Sequence, residues 1–301
     1  MKSIYLELID LEDNGNGKYY KKKKALNLFP LFMQHADTEQ LDYNWEKIKQ
    51  GDTCIVTLKM HGTSQRTAYL PKENTGLRKL LRLPKKYDYV TGTRRVVLDK
   101  IEETTLGGFY GDDSFRKQWH DFFKGKLIKG EEVFYEVVGY MGIDKPIMGD
   151  GNNKKTNDKE FIKMYGDTTR FSYGCENGEC KAYVYRMTYT DNNGYTIEYP
   201  WHLVQRRCEE MGIDTVPELE KFVFTTEKVA LHKIVKHLDI PDPIGKTHVA
   251  EGIVLRLDNR IIFEAYKKKG FYFKVLEGLI KDEATEPDIE EAQEIETGDN
   301  E

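Results

Sequence analysis

At 301 residues, 39% of them apolar, and with a formal net charge of −5, the chain has material for one large domain or two small ones. No run is long and apolar enough to span a bilayer, and Met1-Lys2-Ser3-Ile4 does not open like a secretory signal, so no membrane partner is expected. The four cysteines, Cys54, Cys175, Cys180 and Cys208, make no disulfide framework for this length, which fits a reducing, cytoplasmic setting.

The global charge conceals an asymmetry. Residues 282–301 carry ten acidic side chains and no basic one, so the body before them is positive by five. The tail has few apolar residues and is expected to stay disordered and solvated. A basic body permits a polyanionic partner without demanding one.

Along the chain, residues 1–50 combine the charged run from Lys18 to Lys24 with an apolar patch around Leu26 to Met33, and read as an extension of short strands and turns. Residues 52–70 read as a hairpin folded about His61-Gly62. Residues 71–89 form a basic insertion in which Lys72, Arg78, Lys79, Arg82, Lys85 and Lys86 mix with leucines. A strand-binding surface and a solvated charged face both fit that insertion. From Ser114, a candidate N-cap, Phe115, Trp119, Phe122 and Phe123 recur with helical spacing. Residues 133–139 read as a buried strand and 142–165 as a mobile polar loop. Residues 182–190 alternate as a strand does and end at the turn Asp191-Asn192-Asn193-Gly194. Helices are predicted over 201–211 and 225–238, the second opened by a threonine cap. Strands are predicted over 250–257, 261–265 and 271–276. Antiparallel strands with intervening helices predict an α+β domain over residues 1–281, not a doubly wound sheet.

Chemistry gathers around Lys59. The β-type segment 54–58 delivers this lysine, and Gly62 three positions later lets the backbone turn beside it. That arrangement suits a lysine that attacks a nucleotide phosphate. Such a lysine must be neutral to attack, and its pKa in water is about 10.4, so neighbouring cations are needed to depress it. Lys267 and Lys269 are the candidates, and would also grip phosphates and a departing pyrophosphate. A run of three lysines is otherwise a solvated face. Glu136 and Glu251 lie in or beside apolar strand segments, where an ionised carboxylate needs a partner; Arg94 or Arg256 would serve if the role were structural.

Taken in order, five segments resemble the motifs of the covalent nucleotidyltransferases, the superfamily of DNA ligases, RNA ligases and mRNA capping enzymes. Lys59-Met60-His61-Gly62-Thr63 resembles the nucleotidyl-lysine motif, Phe134-Tyr135-Glu136-Val137-Val138-Gly139 the third motif, and Ala182-Tyr183-Val184-Tyr185-Arg186-Met187 the aromatic segment that follows. Glu251-Gly252-Ile253-Val254 matches the fourth motif, and Lys267-Lys268-Lys269 is similar to the lysine-x-lysine of the last. The likeness covers roughly residues 50–280. Histidine at 61, where DNA ligases and capping enzymes usually carry aspartate, is typical of RNA ligases of the nick-sealing phage and bacterial type.

The resemblance implies an adenylation-domain fold and an ATP-dependent RNA ligase working through lysyl-AMP, with magnesium or manganese as the metal. It gives Lys59 the nucleophile's role and Glu136 the ribose hydroxyls. Glu251 would take the metal or its water, and Lys267 and Lys269 the phosphates. His61 and Gly62 would shape the lysine turn within the nucleotide site. Tyr185 is placed on the adenine face, with Tyr183 the alternative, because Tyr185-Arg186 stands where the family usually has phenylalanine and aspartate. Arg94 or Arg66 would be the motif arginine. His35, His120 and His202 read as packed or surface histidines.

Expected partners are ATP and RNA ends or nicked RNA. Two other readings stay open: a DNA ligase or DNA 5′-adenylating enzyme of the same chemistry, and an inactive nucleic-acid-binding protein. Nothing in the pattern requires an obligate protein partner. Nick-sealing ligases carry a further domain after the last motif, where this chain has the acidic tail. Strand capture or self-adenylylation is therefore expected either to be limited or to depend on residues 1–50.

Overall fold

The computed structural model describes residues 11–13, 19–21 and 27–278 apart from 36, 99 and 108. The acidic tail at 282–301 lies outside the described residues. Two sheets organise the rest. A five-stranded sheet orders Glu218–Val223, Thr53–Lys59, Gly252–Leu257, Ala265–Lys269 and Glu39–Gln40. A seven-stranded sheet orders Thr196–Glu198, Cys180–Thr190, Glu131–Gly142, Thr63–Lys72 and Lys86–Gly92, with Asp214–Thr215 and Lys145–Pro146 joined at its sides. Among the described residues the pairings are antiparallel except at Glu39–Gln40 and Asp214–Thr215. This is the predicted α+β fold class.

Side-chain alternation explains how both sheets are covered. In Thr53–Lys59, Ile55 enters a core that also holds Val133, Tyr135 and Val137 of the larger sheet. Cys54 and Val56 point the other way, towards Leu41, Phe222 and Ile234. Each fully buried aliphatic side chain of this kind contributes about 1.5–3 kcal/mol. The helix Trp201–Met211 buries Trp201, Val204, Cys208 and Met211, an i, i+3, i+7 pattern that lays one apolar stripe on the shared core.

The segment 52–70 is not a hairpin. Thr53–Lys59 pairs within the smaller sheet and Thr63–Lys72 within the larger, so Met60-His61-Gly62 is a crossing between them. Gly62 makes the crossing possible: a Cβ there would lie 2.4 Å from the Val137 carbonyl oxygen and 2.7 Å from Val138 Cγ1. Three further expectations change. The segment predicted as a strand over 271–276 is the helix Phe271–Glu277, which buries Phe273 and Leu276 at helical spacing. The strand predicted over 261–265 begins only at Ala265 and runs to Lys269, while Ile261 and Ile262 sit exposed in the preceding turn. The expected loop at 142–165 contains the helix Lys159–Tyr165, whose cap Asp158 accepts bonds from the Glu160 and Phe161 amides.

Other elements agree with the sequence. The aromatic helix is Ser114–Phe123, although Asp113, not Ser114, occupies its cap position. Thr226 caps Glu227–Val235 through the Val229 amide, as predicted. The basic insertion folds into the short helix Gly76–Leu80 and the start of Lys86–Gly92, leaving Leu77, Leu80 and Leu81 exposed. All four cysteines are free thiols.

Candidate active site

The strand Gly252–Leu257 is the centre of the site because it pairs on both sides. Gly252 lies opposite Lys59 on one neighbour and Lys269 on the other; two residues on, Val254 lies opposite Thr57 and Lys267. Residues opposite one another, and residues two apart, share a face of a sheet. Lys59, Lys267 and Lys269 therefore stand on one face, although more than 200 positions separate the first from the others. The same alternation sends Lys268 to the opposite face, where its Nζ lies 2.7 Å from Asp42 Oδ2. Lys267 and Lys269 are buried, so the run of three lysines is not a solvated face.

Glu251 precedes that row and fills it. Its Oε1 is 2.7 Å from Lys59 Nζ and 3.4 Å from Lys269 Nζ, and its side chain is 1% exposed. A carboxylate this buried is tolerable because two ammonium groups flank it. The partners are lysines, not Arg256, which bonds Glu198 and the Tyr199 carbonyl. Gly252 holds the strands close. A Cβ on it would fall 2.2 Å from the Lys268 carbonyl oxygen and 2.7 Å from Lys269 Cα.

The larger sheet supplies the facing wall. Ser64 pairs with Glu136, which pairs in turn with Tyr183, and Tyr185 occupies a bulge between Val184 and Arg186. The bulge turns the Tyr185 ring inward, where its hydroxyl meets Ser64 Oγ at 2.8 Å. Between the sheets lies an open cavity whose lining includes Lys59, Arg94, Glu136, Tyr185 and Lys267. Tyr183 is instead part of the hydrophobic core. His61, Gly62, Glu251 and Lys269 lie outside the lining, in or next to the strands that carry Lys59 and Lys267.

His61 sits in an aromatic setting, edge-on to Phe171 and Phe273 at 4.7 and 4.9 Å between centroids. Its amide donates to the Tyr173 hydroxyl at 2.6 Å, which fixes the crossing beside the lysine. His61, Glu251 and Glu277 each bring one potential ligand atom within 4.8 Å of the others. Two carboxylates with an imidazole suit a hard or borderline divalent cation.

Burial separates the two arginines. Arg66 is enclosed: it donates to the Thr93 and Met33 carbonyls, bonds Glu132 Oε1 at 2.9 Å, and lies 3.6 Å over the Phe32 ring. Arg94 lines the cavity. Arg66→Met is therefore expected to cost about 3–5 kcal/mol in denaturant unfolding, because it strands Glu132 in the core. Arg94→Ala should shift stability by less than about 1 kcal/mol. Burial raises the Glu132 carboxyl from 4.5 to about 7, with Arg66 opposing the rise. A raised carboxyl pKa gives stability that is complete below the unfolded value and is lost as pH rises through the folded one. Arg66→Met should push the carboxyl higher and extend that loss above pH 7, and adding Glu132→Gln should remove it.

Two neighbours of the site were not assigned to it from sequence, although His35 is packed as expected. His35 lines the cavity from the N-terminal extension, stacked on Tyr185 at 5.8 Å. Its Nδ1 accepts from Arg186 Nη1 at 2.9 Å, which places the ring proton on Nε2. Burial, then the nearby arginines, hold its pKa well below the ordinary value, so the ring is neutral. His120 is packed as expected, bonded to Thr91 Oγ1 and Glu102, and His202 is exposed. Glu277 is the second: its Oε2 lies 2.8 Å from Lys269 Nζ. No spacing rule links it to the lysines; the signal was a lone acid at the end of an apolar segment.

A model of the RNA ligase family matches residues 52–276, a span that begins just before the Lys59 strand and ends in the last helix. The chain belongs to the RNA ligase family. No curated protein matches it. Among solved structures it is similar to a Naegleria gruberi RNA ligase with PPi, at TM-score 0.51 and 15% identity, over 84% of this chain and 60% of that one. A mutant of that ligase with ATP and Mn aligns at TM-score 0.51 and 14% identity, over 82% and 58%. Another, also with ATP and Mn, aligns at 0.50 and 15%, over 83% and 59%. These RNA ligase likenesses confirm the adenylation-type fold, and this chain spans about 60% of the length of those chains.

Proposed function

We propose that this RNA ligase family member is an ATP-dependent RNA ligase that joins 5′-phosphate to 3′-hydroxyl RNA ends through lysyl-AMP. The observation that carries the reading is the strand row: Lys59 borders a cavity with Glu136 and Tyr185 opposite, and shares Glu251 with Lys269. Lys59, once deprotonated, attacks the α-phosphorus of ATP, forming a P–N bond as the bond to pyrophosphate breaks. The 5′-phosphate of RNA then displaces lysine and takes AMP. Finally a 3′-hydroxyl attacks the activated phosphate, and AMP leaves as the phosphodiester forms.

The chain's own residues divide this work. Lys267 faces the phosphates across the cavity from Glu136, whose carboxylate suits ribose hydroxyls. Tyr185 offers its ring to the base. Lys269 contacts the same Glu251 carboxylate as Lys59 and so ties its strand to that of the nucleophile. A divalent metal, Mg²⁺ or Mn²⁺, would be held by Glu251 and would supply charge neutralisation at the phosphates.

The test is incubation with α-labelled ATP and magnesium or manganese, followed by competition between nicked RNA and nicked DNA. Label on the protein and sealing of RNA in preference to DNA are expected, with sealing weakened by added salt. Preferred sealing of DNA would move the assignment to a DNA-joining enzyme. Wild-type protein that takes no label would sink the reading.

A further inference from the structure

Glu277 sits where a carboxylate is unwelcome on two counts. It lies in the last turn of Phe271–Glu277, at the negative end of the helix dipole, and its side chain is only 6% exposed. The helix is anchored without it, by Phe273 and Leu276 in the shared core. What Glu277 does touch is Lys269, at 2.8 Å, while Lys269 stands 3.4 Å from Glu251 and Glu251 stands 2.7 Å from Lys59. The four groups form a buried chain of alternating sign, with Lys269 held closer to Glu277 than to Glu251.

We propose that Glu277 is a positioning residue for lysyl-AMP formation: it draws the Lys269 ammonium away from Glu251, so that Glu251 keeps its bond to Lys59. Without Glu277, Lys269 is a buried cation 3.4 Å from Glu251, and it closes onto that carboxylate in competition with Lys59. The nucleophile then loses the group that aims it. This inference rests on the lysyl-AMP reading above.

The experiment measures single-turnover labelling by α-labelled ATP, followed over hours, for wild type, Glu277→Gln, Glu277→Asp, Lys269→Met and the Lys269→Met/Glu277→Gln double variant. Glu277→Gln is expected to label roughly 10–100-fold more slowly at saturating ATP, with an unchanged or higher melting temperature. Glu277→Asp should recover part of the rate. In the Lys269→Met background, Glu277→Gln should cost less than about twofold, because its effect runs through Lys269. A Glu277→Gln rate within about twofold of wild type would overturn the proposal, and so would a full loss persisting on top of Lys269→Met. If Glu277→Gln does not fold, Glu277→Asp decides alone: a slower rate at the wild-type melting temperature supports the proposal, and an unchanged rate defeats it. Wild type that takes no label defeats the ligase reading instead, so the two failures are distinct.

Discussion

Lys59→Ala is expected to take no label from α-labelled ATP, a loss of about a thousandfold or more against wild type. The size follows from the position. Lys59 ends its strand facing a cavity whose other side carries Glu136 and Tyr185, and Glu251 holds its Nζ at 2.7 Å. Lys267 and Lys269 share its face, yet each stands on the far side of Gly252–Leu257, one strand removed. Neither can substitute by a rotamer change. The same variant should still seal RNA that already carries a 5′ adenylate, since that step uses no lysine nucleophile. Comparing labelling with sealing of pre-adenylylated RNA checks this, and equal loss of both would mean that the substitution damaged the whole site.

Gly252→Ala should damage fold and labelling together. The added methyl would lie 2.2 Å from the Lys268 carbonyl oxygen and 2.7 Å from Lys269 Cα, so backbone must shift and no flexible side chain can yield instead. Overpacking of this kind costs about 1–3 kcal/mol. Any shift pushes the Lys269 strand away from the Lys59 strand and lengthens the contacts to Glu251. Labelling should fall by about a hundredfold, in line with a misplacement near 1 Å. Urea unfolding and the labelling rate measured on one preparation check both halves. A stable variant with normal labelling would show that the tight approach at Gly252 has no part in aligning the lysines.

Much of the site was legible because its chemistry is local in sequence. Lys59 before a glycine, a glutamate in an apolar strand, Glu251-Gly252 and paired lysines two apart each carry a reason of their own. Alternation within Ala265–Lys269 then selects Lys267 and Lys269 over Lys268, a choice the spacing already contained. What was hidden depends on distant partners. Two strands separated by three residues resemble a hairpin, and only their pairing with 252–257 and 131–142 shows that they part company. Residues 271–276 alternate as a strand does while also placing Phe273 and Leu276 one turn apart, and tertiary packing chose the helix. Reading them as a strand concealed Glu277. His35 gained its meaning from Arg186, 151 positions away. Arg66 and Arg94 differ only in what encloses them, which composition does not record.

The alternation of the three lysines makes this part of the chain a two-state code. A slip of one residue would carry Lys268 to the cavity and turn Lys267 and Lys269 out towards Asp42, so register errors offer no half-working form. Gly252, wedged against the backbone of Lys268 and Lys269, fixes the phase. The turn before the strand carries no such burden, with Ile261 and Ile262 open to solvent. A residue added between Ile261 and Ile262 should therefore be tolerated better than one added within Ala265–Lys269, a boundary for anyone grafting a tag or sensor into the chain, with Arg260 held by Asp52 and Phe263 in the cavity wall on either side.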